Sequence, residues 1–220
     1  MKVLLFDTET TGLPKTRISA INGQDNWPHI VSISWIILDA DTNTILKKAS
    51  YIVRPNGWVI SEESVAIHHI TNEMAHLNGV PLSDVMYAFL NEEPDILVAH
   101  NANFDYNVLV NAIKWDLRMD PIILEKPVFC TMKSSKNICR IPSKYGFKSP
   151  KLSELYEFVM KKSPTAGSLH GSMYDTEILT EIMQTCNELR TRFGLPVINV
   201  TKPSNGHQKV PSNTLSIRLT

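Results

Sequence analysis

Apolar and polar positions along this chain recur at two different periods, and each period predicts a different kind of element. Val3-Leu4-Leu5-Phe6 is an unbroken apolar run, as in a strand buried on both faces. His29–Leu38 (HIVSISWIIL) and Leu46–Val53 are rich in strand formers and joined by a turn-like Asp39-Ala40-Asp41-Thr42-Asn43. With the first run they predict an antiparallel three-stranded unit. Ser83–Leu90 reads as a helix after Pro81, and Ile96-Leu97-Val98-Ala99 as a short buried strand. Helices are expected at Phe104–Lys114, Leu152–Lys161 and Met173–Arg190. Antiparallel strands followed by strand–helix alternation predict an α/β fold, a mixed sheet with helices on its faces. From about Leu195 the periodicity dissolves into Pro, Asn and Ser, so residues 1–194 are expected to form one domain and 195–220 a tail, ordered at most in part. Near its end, Leu215-Ser216-Ile217-Arg218-Leu219 alternates like an edge strand or a partner-docking segment. No internal repeat interrupts this order.

Composition narrows the field. A chain of 220 residues suits a single domain with a substantial core. Lys plus Arg equals Asp plus Glu at 22 each, so no global positive field attracts long duplex DNA. A nucleic-acid substrate would be held locally, through metal ions and backbone contacts. The three cysteines, Cys130, Cys139 and Cys186, include no close pair, which argues against a zinc site and suits a reducing compartment. No stretch approaches a membrane span, and the N-terminus enters the first strand without a signal peptide. A soluble, cytoplasmic protein is expected.

Candidate chemistry begins where the first apolar run ends, at Phe6-Asp7-Thr8-Glu9-Thr10-Thr11-Gly12. On a strand Asp7 and Glu9 project to one face and Thr8 to the other. Two adjacent carboxylates repel and resist leaving water, and a divalent cation removes both penalties. Oxygen-only ligands favour Mg²⁺ or Mn²⁺ over zinc. Alone, the segment also reads as an acidic strand end running into a glycine turn. Two further acids sit on apolar helix stripes: Asp105 aligns with Val108, Leu109 and Ala112, and Asp175 with Ile178, Leu179 and Ile182. Each has a capping alternative, Asp105 after Asn101 or Asn103 and Asp175 in a box whose N-cap is Ser172. Taken together, the four acids are better explained by a shared metal site. His170 lies five residues before Asp175, and a helix N-terminus and nearby cations would keep it neutral, as a general base requires. His100 reads as a supporting or a structural residue, and His29, His76 and His207 as surface or packing residues.

These residues, in this order, resemble the DEDDh 3′–5′ exonucleases. FDTETTG looks like the family's first motif, His100–Leu109 (HNANFDYNVL) like its second, and His170–Asp175 (HGSMYD) like its third. Ala66-Ile67-His68-His69-Ile70-Thr71 resembles the family's His-Gly-Ile-Thr loop, with His69 where glycine is usual. The third motif also departs, with Gly171-Ser172-Met173-Tyr174 in place of small, alanine-like residues. The resemblance runs from Met1 to about Arg190 and implies a ribonuclease H-like fold with a mixed five-stranded sheet. It implies two Mg²⁺ or Mn²⁺ ions, with Asp7 bridging both, Glu9 and Asp175 completing one site, and Asp105 holding the other directly or through water. His170 would take the proton from the attacking water. Thr8 and Glu9 would bind the terminal 3′-hydroxyl, Leu13 and Ile70 would pack on the last bases, and Thr10, His68, Asn101 and Phe104 would complete the substrate contacts. The implied reaction releases 5′-mononucleotides from a single-stranded 3′ end, of DNA first and of RNA as the alternative. The implied partners are that 3′ end and, through the tail, a polymerase or other replication protein. A non-catalytic nucleic-acid-binding domain is the rival from another class, opposed by the retention of all four acids. The tyrosine-bearing subgroup is set aside because its tyrosine position is Gly171 here.

Overall fold

The computed structural model describes residues 1–121, 125–165 and 171–198. A five-stranded mixed sheet organises them, in the order β3-β2-β1-β4-β5. Strands β1 (Lys2–Thr10), β2 (Ile30–Asp39) and β3 (Thr44–Ile52) form the expected antiparallel unit, and β4 (Ile96–Ala99) and β5 (Val128–Cys130) extend it in parallel. Being central, β1 must be apolar on both faces, which is why its first half carries no alternation. Leu4 and Phe6 face one helical layer, α3 (Leu82–Leu90) and α4 (Ala102–Asn111), packing with Val85, Phe89, Val108 and Leu109. Val3 and Leu5 face the other, α6 (Leu152–Met160) and α7 (Ser172–Thr185), packing with Leu155, Ile178, Leu179 and Ile182. Between β5 and α6 lie α5 (Thr131–Cys139) and a small hairpin, β6 (Pro142–Ser143) and β7 (Gly146–Phe147).

Several elements depart from the sequence pattern for local reasons. Two short helices not expected from the sequence, α1 (Glu62–His68) and α2 (Asn72–Asn78), lie on either side of His69-Ile70-Thr71 in the expected loop; each is started by a hydroxyl cap, Ser61 accepting from Ser64 N and Thr71 from Met74 N. His69, where the resemblance expects glycine, closes α1 in the left-handed conformation at φ 62° and ψ 12°. The backbone therefore takes the path a glycine permits, at a cost of roughly 1 kcal/mol for the side chain. Helix α4 ends at Asn111 and continues as one π-helical turn, Ala112–Asp116. That wider turn delivers Trp115 Nε1 to Ala20 O (2.6 Å) and Asp116 to His29 Nδ1 (2.9 Å).

The long helix expected over 173–190 is broken at Cys186, which is extended (φ −87°, ψ 91°), and resumes as α8 (Asn187–Arg192). The break serves Arg190, whose side chain is fully buried. Its guanidinium donates to Ala40 O (2.6 Å), Met183 O (3.1 Å), Asn43 Oδ1 (3.1 Å) and Pro196 O (2.7 Å). A straight helix would aim it elsewhere. The same contacts draw in the first residues of the expected tail: Leu195 is buried, and Ile198 pairs through its backbone with the Asn187 amide. The rest of the tail, residues 199–220, lies outside the described residues, as does the alternating segment near its end.

Arg190→Ala strands three carbonyls and opens a cavity, so it should destabilise by roughly 3–5 kcal/mol, about 10 °C in Tm. Thermal unfolding by circular dichroism checks this. A shift within experimental error would remove Arg190 from the account of the break.

Candidate active site

Beyond Phe6 the alternation of β1 carries polar residues. Asp7 and Glu9 continue the face of Val3 and Leu5, towards α7, while Thr8 continues the face of Leu4 and Phe6, towards α4. On β2 the partners of Asp7 and Glu9 are Ser34 and Ser32. These small side chains leave room for the start of α7, whose Ser172 hydroxyl lies 2.8 Å from Ser34 Oγ and 3.0 Å from Ser32 Oγ. Thr176 adds a bond to Ser34 O (3.4 Å). Ser172 is thus not the cap the sequence suggests; Gly171 holds the N-cap position and Ser172 fastens the helix to the sheet. One turn on, Asp175 meets the strand acids: carboxylate oxygens of Asp7, Glu9 and Asp175 all lie within 4.8 Å of one another. Its place in the first turn suits the helix dipole.

Asp105 arrives from the opposite layer. It is 3 % exposed, and its Oδ1 accepts from Thr8 N (3.1 Å) and Thr8 Oγ1 (2.8 Å). The fourth acid is therefore held by β1 itself, outside the three-carboxylate cluster. Its helix starts at Asn101, which takes a left-handed conformation and makes no side-chain cap bond.

Electrostatics mark the cluster as unbalanced. Burial raises Asp7 well above the ordinary carboxylate range, and the charges of Asp105, Asp175 and Glu9 push the same way. Glu9 is raised to about 8, by burial and then by Asp175 and Asp105. Burial raises Asp105 to about 7, against the lowering effect of its Thr8 bonds. Several negative charges share a small, partly dry volume, and the group ionises fully only beside a cation. The donors are all hard oxygens, a set that fits a hard divalent ion.

A cavity of about 450 Å³ opens beside these acids, lined by Thr8, Glu9, Thr10, Leu13, His68 and Phe104 among others. Six of the expected substrate contacts thus share one hollow. Leu13 is 81 % exposed at its rim. His68 is buried; its Nδ1 accepts from Ile70 N (3.1 Å), which leaves the proton on Nε2, and Nε2 has no well-formed partner among the described residues. Burial lowers its pKa, so the ring is neutral at pH 7. Two expected contacts fall elsewhere: Ile70 packs on Val31, Ile60 and Ala75, and Asn101 is exposed but does not line the hollow. His170 lies outside the described residues, immediately before Gly171. The serines at 32 and 34 escaped the sequence reading and Ser172 reads there only as a cap, although Ser32 and Ser34 interrupt an apolar strand at the two positions facing the acids.

Residues 4–183 match the model of the RNase T exonuclease family. No protein among the curated sequences matches. Among solved structures, the chain resembles exonuclease X in complex with 5′ overhanging duplex DNA, at 26 % identity and a TM-score of 0.57, covering 89 % of this chain and 95 % of that one. It shares its fold with the nuclease domain of 3′hExo, a DEDDh family member bound to rAMP, at 16 % identity and a TM-score of 0.63, covering 90 % and 96 %. It shares it also with Escherichia coli exonuclease I in complex with a dT13 oligonucleotide, at 14 % identity and a TM-score of 0.65, covering 88 % of this chain and 42 % of that one. The acid-bearing strand, the two helices that close on it and the match over residues 4–183 lead to one statement: the chain belongs to the RNase T family of exonucleases.

Proposed function

We propose that this protein is a metal-dependent 3′–5′ exonuclease that removes 5′-mononucleotides from single-stranded or frayed 3′ ends of DNA. The observation that carries this reading is the convergence of Asp7, Glu9 and Asp175 within 4.8 Å beside a hollow with an exposed apolar rim. Asp7, Glu9 and Asp175, with Asp105 across the strand, would hold two Mg²⁺ or Mn²⁺ ions. Such a pair supplies water activation and stabilisation of the leaving oxygen. Thr8 and Glu9 would receive the terminal 3′-hydroxyl, and Leu13 and Phe104 the terminal base. His68, which lines the same hollow, would contact the sugar–phosphate there. His170 would accept the proton of the attacking water as the terminal P–O3′ bond breaks. Contacts of this kind read no base edges, so sequence selectivity is low. DNA is preferred to RNA on the likeness to exonuclease X, whose structure holds duplex DNA with a 5′ overhang.

Among the described residues no helix is long and apolar enough to cross a membrane, and Cys130, Cys139 and Cys186 are free thiols. Free thiols suit a reducing compartment, and we place the protein in the cytoplasm. Polymerase docking was expected of the tail, residues 195–220, of which 199–220 lie outside the described residues, so the partner proposed is the 3′ end alone.

Initial rates on matched 3′-labelled DNA and RNA strands, single and double, test the substrate. Faster release from single-stranded DNA is expected, and a preference for RNA would turn the reading to RNA trimming. Asp7→Asn should lower the rate by about 10³-fold or more, since one carboxylate would serve both ions. Near-normal turnover by that variant would sink the metal assignment.

The raised carboxylates also predict a pH dependence of stability. Glu9 and Asp105 bind protons more tightly folded (about 8 and about 7) than unfolded (4.5 and 3.8). The folded state thus carries extra protons between about pH 4 and 8, and metal-free stability falls as pH rises through that window. Tm of the metal-free protein should drop from pH 5 to pH 8, Mg²⁺ or Mn²⁺ should restore it most at pH 8, and a flat profile would contradict the unbalanced cluster.

His170→Ala should cost roughly two to four orders of magnitude in turnover, with metal affinity retained. Weakened metal binding with normal turnover at saturation would make His170 a ligand instead of a base.

A further inference from the structure

We propose that α5 and the β6–β7 hairpin form a second nucleic-acid contact, one that holds the phosphodiester backbone of the substrate strand beyond its terminal nucleotide. The inference rests on the exonuclease reading and extends it from the reacting end to the rest of the strand.

Charge along the chain is unevenly spread. Between Lys126 and Ser153 there is no Asp or Glu, and the same stretch holds seven of the 22 Lys and Arg: Lys126, Lys133, Lys136, Arg140, Lys144, Lys148 and Lys151. The remainder of the chain is correspondingly seven charges negative. Lys148 is spent on Glu154 at 2.5 Å. Lys126, Lys133, Lys136 and Lys144 are exposed and make no ion pair among the described residues. Lys133 and Lys136 stand three residues apart on α5, and Arg140 caps its C-terminal end in the left-handed conformation. At the hairpin tip Tyr145 is 87 % exposed, with Lys144 Nζ 5.3 Å from its ring centroid. An exposed ring with cations around it is a stacking platform on a phosphate track.

Two observations tie this element to the acids. Lys126 and Lys133 line a hollow of about 370 Å³ whose other wall includes Asn103 and Tyr106, α4 residues two before and one after Asp105. His100, at the end of β4, bridges the element's two ends: Nε2 donates to Pro150 O (3.1 Å) and Nδ1 faces Thr131 Oγ1 (3.0 Å). Burial lowers the His100 pKa to about 4, so this neutral bridge persists at working pH. The chain leaving His100 enters α4 and reaches Asp105 within five residues. A strand whose 3′ end meets four carboxylates needs cations nearby to offset the repulsion, and this element supplies them.

The test uses the full-length protein and a fluorescein-labelled oligothymidylate of about 20 nucleotides, with Kd followed by anisotropy across a salt series. The triple variant Lys133→Ala/Lys136→Ala/Lys144→Ala should raise Kd about tenfold or more and reduce the slope of log K against log salt by about 2, near 0.7 per lost contact. Tyr145→Ala should raise Kd about fivefold with the slope kept, and Lys-to-Arg replacements at the three positions should bind like the wild type. A triple variant with wild-type Kd and slope overturns the proposal. Hydrolysis of the p-nitrophenyl ester of thymidine 5′-monophosphate, which has no upstream strand, separates the two readings. The ratio of oligonucleotide to ester kcat/KM should fall in the triple variant, and an unchanged ratio counts against the element. Failure of the wild type to cleave either substrate would instead remove the exonuclease reading, while the anisotropy series still decides whether this element binds the strand.

Discussion

The position of β1 at the centre of the sheet constrains everything else in this molecule. Strands flank it on both edges and helices cover both faces, so its first half has no polar position to offer. Polar side chains enter only past Phe6, and the pleat then sorts them: Asp7 and Glu9 to the α7 layer, Thr8 to the α4 layer. Two helices in different layers are therefore needed to complete the acidic group, one delivering Asp175 to the strand acids and one delivering Asp105 to Thr8. A one-residue slip of β1 against β2 would reverse this sorting and turn Val3 and Leu5 into the wrong layer. Core packing and site geometry are thus fixed by the same register.

Gathering four acids there opposes folding, and the surrounding contacts show how it is sustained. Asp7 and Glu9 stand on the central strand of the sheet, and opposite them β2 carries serines that bond to Ser172. Those hydroxyl contacts are satisfied pairs inside a buried layer, so they position α7 without leaving polar atoms stranded. Asp105 keeps two donors from Thr8 for the same reason. The strain is electrostatic and local, and a cation relieves it where it arises.

What could be read in the sequence was whatever depended on a period. The two-faced β1, the strand at Ile96–Ala99 and the alignment of Asp105 and Asp175 with buried apolar residues all followed from alternation or from three-and-four spacing. What escaped depended on a distant partner or on a single local cap. Ser172 has the spacing of a cap but answers to two serines some 140 residues away in the chain. Cys186 carries no breaking signal, because the break answers to carbonyls of Ala40 and Pro196 that Arg190 must reach. Helices α1 and α2, seven residues each, are too short for a periodic signal and rest on single capping hydroxyls at Ser61 and Thr71. His69 is instructive in the other direction, since a histidine where the resemblance expects glycine still takes the left-handed conformation that glycine favours.

Net charge was the least informative quantity of all, because equal totals of 22 conceal a separation. Three acids meet at the end of β1, and seven cations with no acid among them run from Lys126 to Lys151. A polyanion approaching from solution responds to the local field within about a Debye length, roughly 8–10 Å, and not to the sum over the chain. With acids and cations mixed evenly, a neutral protein would give such a strand no preferred orientation. With them separated, the terminal nucleotide can be directed to the carboxylates and their cations while the phosphates behind it lie over lysines. His100, bonded to both ends of the basic element and preceding the helix of Asp105, links the two poles through the fold.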